Sequence, residues 1–347
     1  MSAESSWWLN NMILIGYEKL RGKAWHYNMS EQGVEPNHYE GPVPVEDVKR
    51  RLFNFTVEGV PAYYYFDGKR KQVPNKQIMV ASDNGDVLGD HAAGYAGHGY
   101  TEWLIDNVVS ILDQKIGIGS AGLLRNRAQA WVSVEMPENI TTPEGVEFRP
   151  QLTAMTSFDG SLITTYGKHF YVAVCDNTLN IARREMADQN YKVKHTKYSA
   201  LKIADAREAL AILFAMGDEF SQEIADLTSW TVSDKQFNKT LDLIFPEKEE
   251  GETSKKGVTQ RENTRAKIIN LYHNDERCAP WKGNAFGVLQ AFNTYNQHYT
   301  TVRKGAAQYE RHMERVLKGK VAEADAQVLT ILSDVTKHSN NKVLVTV

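Results

Sequence analysis

Between residues 128 and 174 the chain holds three strand-like stretches separated by two turn signals, and no other segment limits its possible folds as tightly. In the first, from about Ala128 to Met136, Ala130, Val132 and Val134 alternate with Trp131, Ser133 and Glu135. A period of two sends successive side chains to opposite faces of a sheet. Thr142-Pro-Glu-Gly145 turns the chain into a second stretch, about Phe148 to Thr156, and Phe158-Asp-Gly160 into a third, about Ser161 to Val174. Strands joined by such short turns pair antiparallel. Ahead of them, Thr101 is suited to cap a helix running to about Leu112, with Trp103, Leu104, Val108, Ile111 and Leu112 on one face. Behind them, Cys175-Asp-Asn-Thr-Leu179 reads as the opening of a helix, with Asp176 or Asn177 accepting from its free N–H groups. The expected fold is α+β, with a core of helix, three-strand antiparallel meander and helix, an irregular/β N-terminal region and a helical C-terminal half.

Composition divides the rest. Residues 1–100 read as an irregular, β-rich region packed on the core. Within it, Val45 to Phe53 suits a short helix, with Glu46 and Asp47 near its positive end and Arg50 and Arg51 near its negative end. Ala62-Tyr-Tyr-Tyr-Phe66, then Gly68 and Lys69-Arg-Lys71, then Gln77-Ile-Met-Val-Ala81 read as strands around turns, and Ser82-Asp-Asn-Gly85 as a hairpin turn. The α+β core spans 101–245. It ends in a helix from Ser199 to about Thr228 and another that Ser233 caps, running through Leu243. Residues 246–258 are charged and small, and read as an exposed, mobile loop. Residues 259–338 read as a helical C-terminal region, with helices from about Thr259, Asn284 and Ala306, and 339–347 as a tail.

The charge balance narrows the function. Lys and Arg number 40 against 43 Asp and Glu, a formal net charge of −3 over 347 residues, whereas a dedicated nucleic-acid binder is usually strongly basic. Any contact with DNA must come from local patches. Two cysteines, Cys175 and Cys278, are too few for a disulfide framework and read as reduced thiols. The first residues offer neither a basic start nor an apolar run of leader length, and no apolar stretch reaches the ~20 residues of a membrane helix. The expectation is a cytoplasmic protein without a membrane partner.

Motifs that carry chemistry are weak. Gly117-Ile-Gly119-Ser-Ala-Gly122 matches the dinucleotide-binding fingerprint as a string, but it follows a helix and precedes a strand, the reverse of what that motif needs to aim a helix N-terminus at a pyrophosphate. A glycine-rich bend at a strand start explains it. His91 with His98, and His273 with Cys278, lack the paired spacing of a zinc site. Ser120 lacks the context of an activated nucleophile, and Cys175 ends an apolar strand. No cofactor and no metal are expected, and a non-enzymatic role is preferred. If the chain is an enzyme, His195 or His169 would serve as general base with Asp159 or Asp176 nearby, since histidine titrates closest to neutral pH.

Basic patches are the stronger signal. Arg183-Arg184 precede Lys192-Val-Lys194-His195-Thr-Lys197-Tyr198, where alternation places Lys192 and Lys194 on one side of an extended chain. Arg125 and Arg127 stand at the start of the meander, and Lys168 and His169 within its third strand. A row of cations beside an aromatic suits a phosphate backbone with bases stacking next to it, and Trp131 or Tyr198 would supply the stacking ring. Arg303-Lys304, Arg311, Arg315 and Lys318 form a further patch, with Glu310 and Glu314 beside it offsetting its charge. Each patch alone also fits an ordinary solvated face.

Several segments together resemble a known family. They are Asn10-Asn-Met-Ile-Leu-Ile-Gly-Tyr17, Arg21-Gly-Lys-Ala-Trp-His-Tyr27, the stretch from Pro42 to Phe53, Ser157-Phe-Asp-Gly-Ser161, Val174-Cys-Asp-Asn-Thr-Leu179 and Val193-Lys-His-Thr196. The chain resembles, from about residue 10 to about 320, a phage- and plasmid-encoded family classed as a domain of unknown function and abundant in actinobacterial phages. That resemblance implies a mobile genetic element in a bacterial cytoplasm and no assigned reaction. The expected architecture is also similar to the core of single-strand annealing proteins, which oligomerise and hold single-stranded DNA in a basic groove. The function expected is binding or annealing of single-stranded DNA in phage replication or recombination, by a homo-oligomer. Arg125, Arg127, Lys168, Arg183, Arg184, Lys192, Lys194, Lys197 and Tyr198 are the candidate contacts. The alternatives are a host-protein-binding accessory protein that does not touch DNA, and an enzyme.

Overall fold

The computed structural model describes residues 12–21, 31–32, 34–109, 112, 116–136, 138–172, 177–179, 191–193, 195, 216–246, 255–300 and 308–338. The N-terminal part contributes β1 (Ile13–Ile15), the short pair β2 (Glu31–Gln32) and β3 (Glu35–Pro36), and helix α1 (Val45–Arg51). Strands β4 (Val57–Phe66), β5 (Lys69–Ala81) and β6 (Val87–Ala92) then form a three-stranded antiparallel sheet in that order. Helix α2 follows, a π-helical stretch Thr101–Asp106 continuing as Asn107–Val109.

The central sheet is larger than the expected meander. It orders β1, β7 (Gly117–Leu124), β8 (Gln129–Glu135), β10 (Glu147–Ser157), β11 (Thr164–Val172) and β12 (Asn177–Leu179) side by side. The short β9 (Ile140–Thr141) pairs with β10, and β13 (Tyr191–Val193) pairs with β11. Every pairing is antiparallel. The helices α3 (Met216–Ser229), α4 (Asp234–Ile244), α5 (Lys255–Asn274), α6 (Ala285–Thr294), α7 (Gln308–Leu317) and α8 (Lys320–Thr336) complete the helical C-terminal half.

Alternation along β8 divides its side chains between two cores. Ala130, Val132 and Val134 join a cluster with Leu104, Ile105 and Val108 of α2, Val48 of α1, and Met79, Ala81 and Leu88 of the small sheet. Trp131 joins a second cluster with Ile13, Ile15 and Met155, closed by Met313, Val316 and Leu317 of α7. The N-terminal region thus shares a core with the meander. A third core lies among α3 to α6 and α8, which Phe148 enters from β10 to meet Phe220 at 4.5 Å between ring centroids.

Burial on both faces is why the sequence pattern in β8 looks half polar although all seven residues are buried. Ser133 bonds the Thr153 hydroxyl at 2.7 Å. Glu135 is fully buried and pairs with Arg149 at 2.9 Å, and Arg21 reaches it from the N-terminal segment. Arg149 is held further by Asn139 Oδ1, at 3.0 Å from Nε and 2.7 Å from Nη2. Buried charges persist only when paired and hydrogen-bonded in this way.

The glycine string on β7 belongs to the same arrangement. A Cβ on Gly119 would collide with the Glu135 carboxylate, and one on Gly122 with the six-membered ring of Trp131. These glycines let a carboxylate and an indole lie flat on the neighbouring strand, and the string sits where expected, at the start of a strand whose register shifts between Ile118 and Ser120.

Three local expectations are corrected. Asn177–Leu179 pair with β11 as a strand and do not open a helix, because Val172, Tyr171 and Phe170 offer them an unpaired edge. Thr101 does not cap α2: Tyr100 precedes that helix in helical geometry, and the Thr101 hydroxyl donates to Phe53 O at 3.4 Å. The loop read over 246–258 gives way to helix at Lys255. Ser233 does cap α4, exchanging bonds with Gln236 in a capping box. Cys278 is free and buried, with its thiol pushed up to about 12 by burial, while Cys175 lies outside the described residues.

Candidate functional site

The most unusual surface is made by the far end of the β4–β5 hairpin. β6 pairs with β5 only from Lys76 to Val80, so beyond that point the hairpin is a two-stranded ribbon. The register jumps from Pro61 opposite Gln77 to Tyr63 opposite Gln72, and Asn75 takes a left-handed φ of 55° in the bulge between. At the tip, Asp67 (φ 51°) and Gly68 (φ 68°) form the two-residue turn whose twist matches paired strands. Every residue from 63 to 72 is exposed.

What this ribbon exposes is aromatic and basic. Tyr65 is 75% exposed and Phe66 64%, with Tyr63 and Tyr64 near half. Pairing fixes their faces: Tyr65 lies opposite Arg70 and Tyr64 opposite Lys71. One face therefore carries Tyr63, Tyr65 and Arg70, the other Tyr64, Phe66, Lys69 and Lys71. The Arg70 guanidinium stacks 3.6 Å from the Tyr63 centroid, and the Lys71 ammonium sits 5.1 Å from that of Phe66. Among the described residues no carboxylate pairs with Lys69, Arg70 or Lys71. Large aromatics are seldom left in water without a partner to cover them, and an exposed row of rings among free cations matches what unstacked bases and phosphates need.

The residues expected from sequence meet different fates. Arg125 is half exposed and paired with Glu314 at 2.7 Å and Asp159 at 3.5 Å. Arg127 is buried: it clamps the turn after β5 through Asp83 (2.8 Å), Asn84 (2.8 Å) and Asp86 (3.3 Å), and lies 4.4 Å from the Phe55 ring centroid. Lys168 and Lys192 lie on neighbouring strands, on β11 opposite Leu152 and on β13 opposite Thr165. Arg183, Arg184, Lys194, Lys197 and Tyr198 lie outside the described residues, as do Arg303 and Lys304. Trp131 is fully buried beneath α7 and is no stacking platform. In the last patch Glu314 takes Lys318 at 2.6 Å and Arg311 at 3.4 Å, the offset its sequence suggested.

His195 enters a second constellation that the enzyme reading singled out. Its Nδ1 lies 2.7 Å from Tyr95 Oη, and its Nε2 lies 3.2 and 3.1 Å from the hydroxyls of Thr156 and Thr164. His98 stacks on it at 4.0 Å and on Trp103 at 3.7 Å, and bonds Thr164 through Nδ1 at 2.6 Å. His91 stacks on Tyr95 at 3.7 Å. Burial pushes the His98 pKa down to about 3 and that of His195 down to about 4. Asp159 accepts instead from Ser161 N at 2.9 Å and faces Arg125. The His98 and His195 imidazoles are therefore neutral members of a hydroxyl network that ties the small sheet's exit to the central sheet, and among the described residues no carboxylate bonds His195. Among the described residues no cluster has metal-binding form.

A family model described as a domain of unknown function (DUF932) matches residues 92–317, well over half the chain. The protein belongs to the DUF932 family. No curated protein and no solved structure matches it. The DUF932 match takes in the central sheet from β7 onward, the helices through α7, and Tyr95, His98 and His195. The ribbon of β4 and β5 precedes it. Among the described residues of this DUF932 protein no helix is long and apolar enough to cross a membrane.

Sequence reasoning placed Tyr63 to Phe66 and Lys69 to Lys71 on strands around a turn without marking them as a site. The signal was present: four consecutive aromatics cannot all face a core from a strand, because alternate residues point to opposite sides.

Proposed function

We propose that the protein binds single-stranded DNA, in the replication or recombination of a phage or plasmid, and that the β4–β5 ribbon makes the primary contact. The observation that supports this most is the set of exposed rings from Tyr63 to Phe66 interleaved with the unpaired cations Lys69, Arg70 and Lys71. Unpaired bases offer π-faces to such rings irrespective of sequence, whereas a duplex hides them. The cations take the phosphates and release counterions. A mildly acidic chain can bind DNA in this way because the contact is local. Several ribbons in a homo-oligomer would engage one strand together.

The test is titration of labelled single-stranded and double-stranded DNA into the purified protein across a salt series, with light scattering for assembly size. Salt-sensitive preference for single strands, weakened by Tyr65→Ala with Phe66→Ala, is the expected result. Equal affinity of wild type and variant would move the ribbon's role to protein contacts, and absence of binding at low salt would end the reading.

A further inference from the structure

Helix α5 and the π-helical extension of α6 (Tyr295–Tyr299) enclose an open cavity of about 790 Å³ far along the chain from the ribbon. Its size is within the range of small-ligand sites. Lys256, Asn263 and Lys267 recur at helical spacing along one stripe of α5, with Lys255 beside them, and all four line it. Tyr295 and Tyr299, four residues apart, form the opposite wall. Among the described residues no carboxylate lines the cavity.

The wall residues are held in place. Tyr295 Oη bonds the Thr264 hydroxyl at 2.7 Å, and Tyr299 Oη accepts from Arg277 at 2.8 Å. Arg277 is in turn fixed by Asp275, at 2.6 Å from Nε. With both hydroxyls engaged, Tyr295 offers ring surface, while the Lys267 ammonium lies over the Tyr299 ring, 3.9 Å from its centroid.

We infer that this cavity binds a nucleoside 5′-phosphate. Three ammonium groups, with no carboxylate among the described lining residues, suit a ligand of more than one negative charge, which a phosphate monoester supplies. The Tyr295 ring suits a planar base, and the Asn263 amide can donate to or accept from a base edge. A free nucleotide and a terminal nucleotide of a strand present the same chemistry. The inference does not rest on the ribbon, which lies outside the DUF932 match while the whole cavity lies inside it.

Calorimetric titration of the full-length protein tests it, with deoxyadenosine 5′-monophosphate, deoxyadenosine, inorganic phosphate and a 5′-phosphorylated tetradeoxyadenylate as probes. Saturable binding of the monophosphate is expected, with deoxyadenosine and inorganic phosphate each at least roughly tenfold weaker. Lys267→Gln and Lys256→Glu should each weaken the monophosphate about tenfold, while Tyr65→Ala with Phe66→Ala leaves it unchanged. If the tetranucleotide binds more tightly and is equally sensitive to Lys267→Gln, a strand end is the occupant. No monophosphate binding at millimolar concentration, or binding that neither lysine variant alters, overturns the inference without touching the ribbon.

Discussion

Arg70 lies diagonally across the hairpin from Tyr63, its guanidinium carbon 3.6 Å from the ring centroid, at a place where the sheet has only two strands. A two-stranded ribbon is marginal by itself, and this stacking braces the arm while leaving the outer surfaces of Tyr65 and Phe66 open. Tyr65→Ala with Phe66→Ala is expected to weaken single-stranded DNA binding by about 1–3 kcal/mol for each base that no longer stacks. The thermal midpoint should stay near wild type, because neither ring reaches a core. A large fall in midpoint would show that the arm is packed rather than presented.

Arg149 and Glu135 make the buried pair that the central sheet depends on. Arg149→Met leaves Glu135 in the core with Arg21 as its remaining cation. The expected loss is about 3–5 kcal/mol in urea denaturation, the usual result of removing one partner of a buried pair. A loss under about 1 kcal/mol, the scale of an exposed pair, would contradict the placement.

His98 makes stability fall in acid. Burial, with His195 beside it, pushes its pKa from 6.5 down to about 3. Between those values the unfolded chain binds a proton that the folded chain refuses. Its contribution is thus complete above about pH 6.5 and is lost as the pH falls toward 3. Denaturation midpoints of His98→Gln and wild type should differ most at pH 7 and converge by pH 4. A difference that stays constant over that span would count against the buried neutral imidazole.

Asp325 acts in the opposite sense. It is buried against Asn293, whose amide nitrogen stands 2.9 and 2.8 Å from its two carboxyl oxygens, and burial pushes its pKa from 3.8 up to about 8. The folded chain keeps a proton that the unfolded chain has released, so its contribution is present below 3.8 and lost as the pH rises through 8. Asp325→Asn should remove the part of the stability loss between pH 5 and pH 8.5 that belongs to this group. An unchanged pH profile in the variant would show that the carboxyl is ionised in the fold.

Legibility followed the range of the interactions. Alternation in β8 and the Ser233–Gln236 capping box are local, and both were readable from neighbouring residues. Arg127 looked available because its partners, Asp83 and Asp86, come from a turn more than forty residues earlier. The Gly119 and Gly122 spacing resembled a nucleotide motif, whereas its cause is the pair Glu135 and Trp131 on the next strand. Tyr63 to Phe66 could be assigned to a strand, but their exposure depends on where β6 stops pairing, which no residue in the ribbon encodes. His98 and His195 meet across almost a hundred residues, through Thr164 on β11.

The most direct test is the salt dependence of single-stranded DNA affinity for wild type and for Lys69→Glu, Arg70→Glu, Lys71→Glu combined. If the ribbon binds the DNA, log affinity falls linearly with log salt, and the triple variant both weakens binding and flattens the slope by about 0.7 for each phosphate it no longer neutralises. A slope and affinity unchanged by the triple substitution would contradict the assignment of the ribbon to DNA.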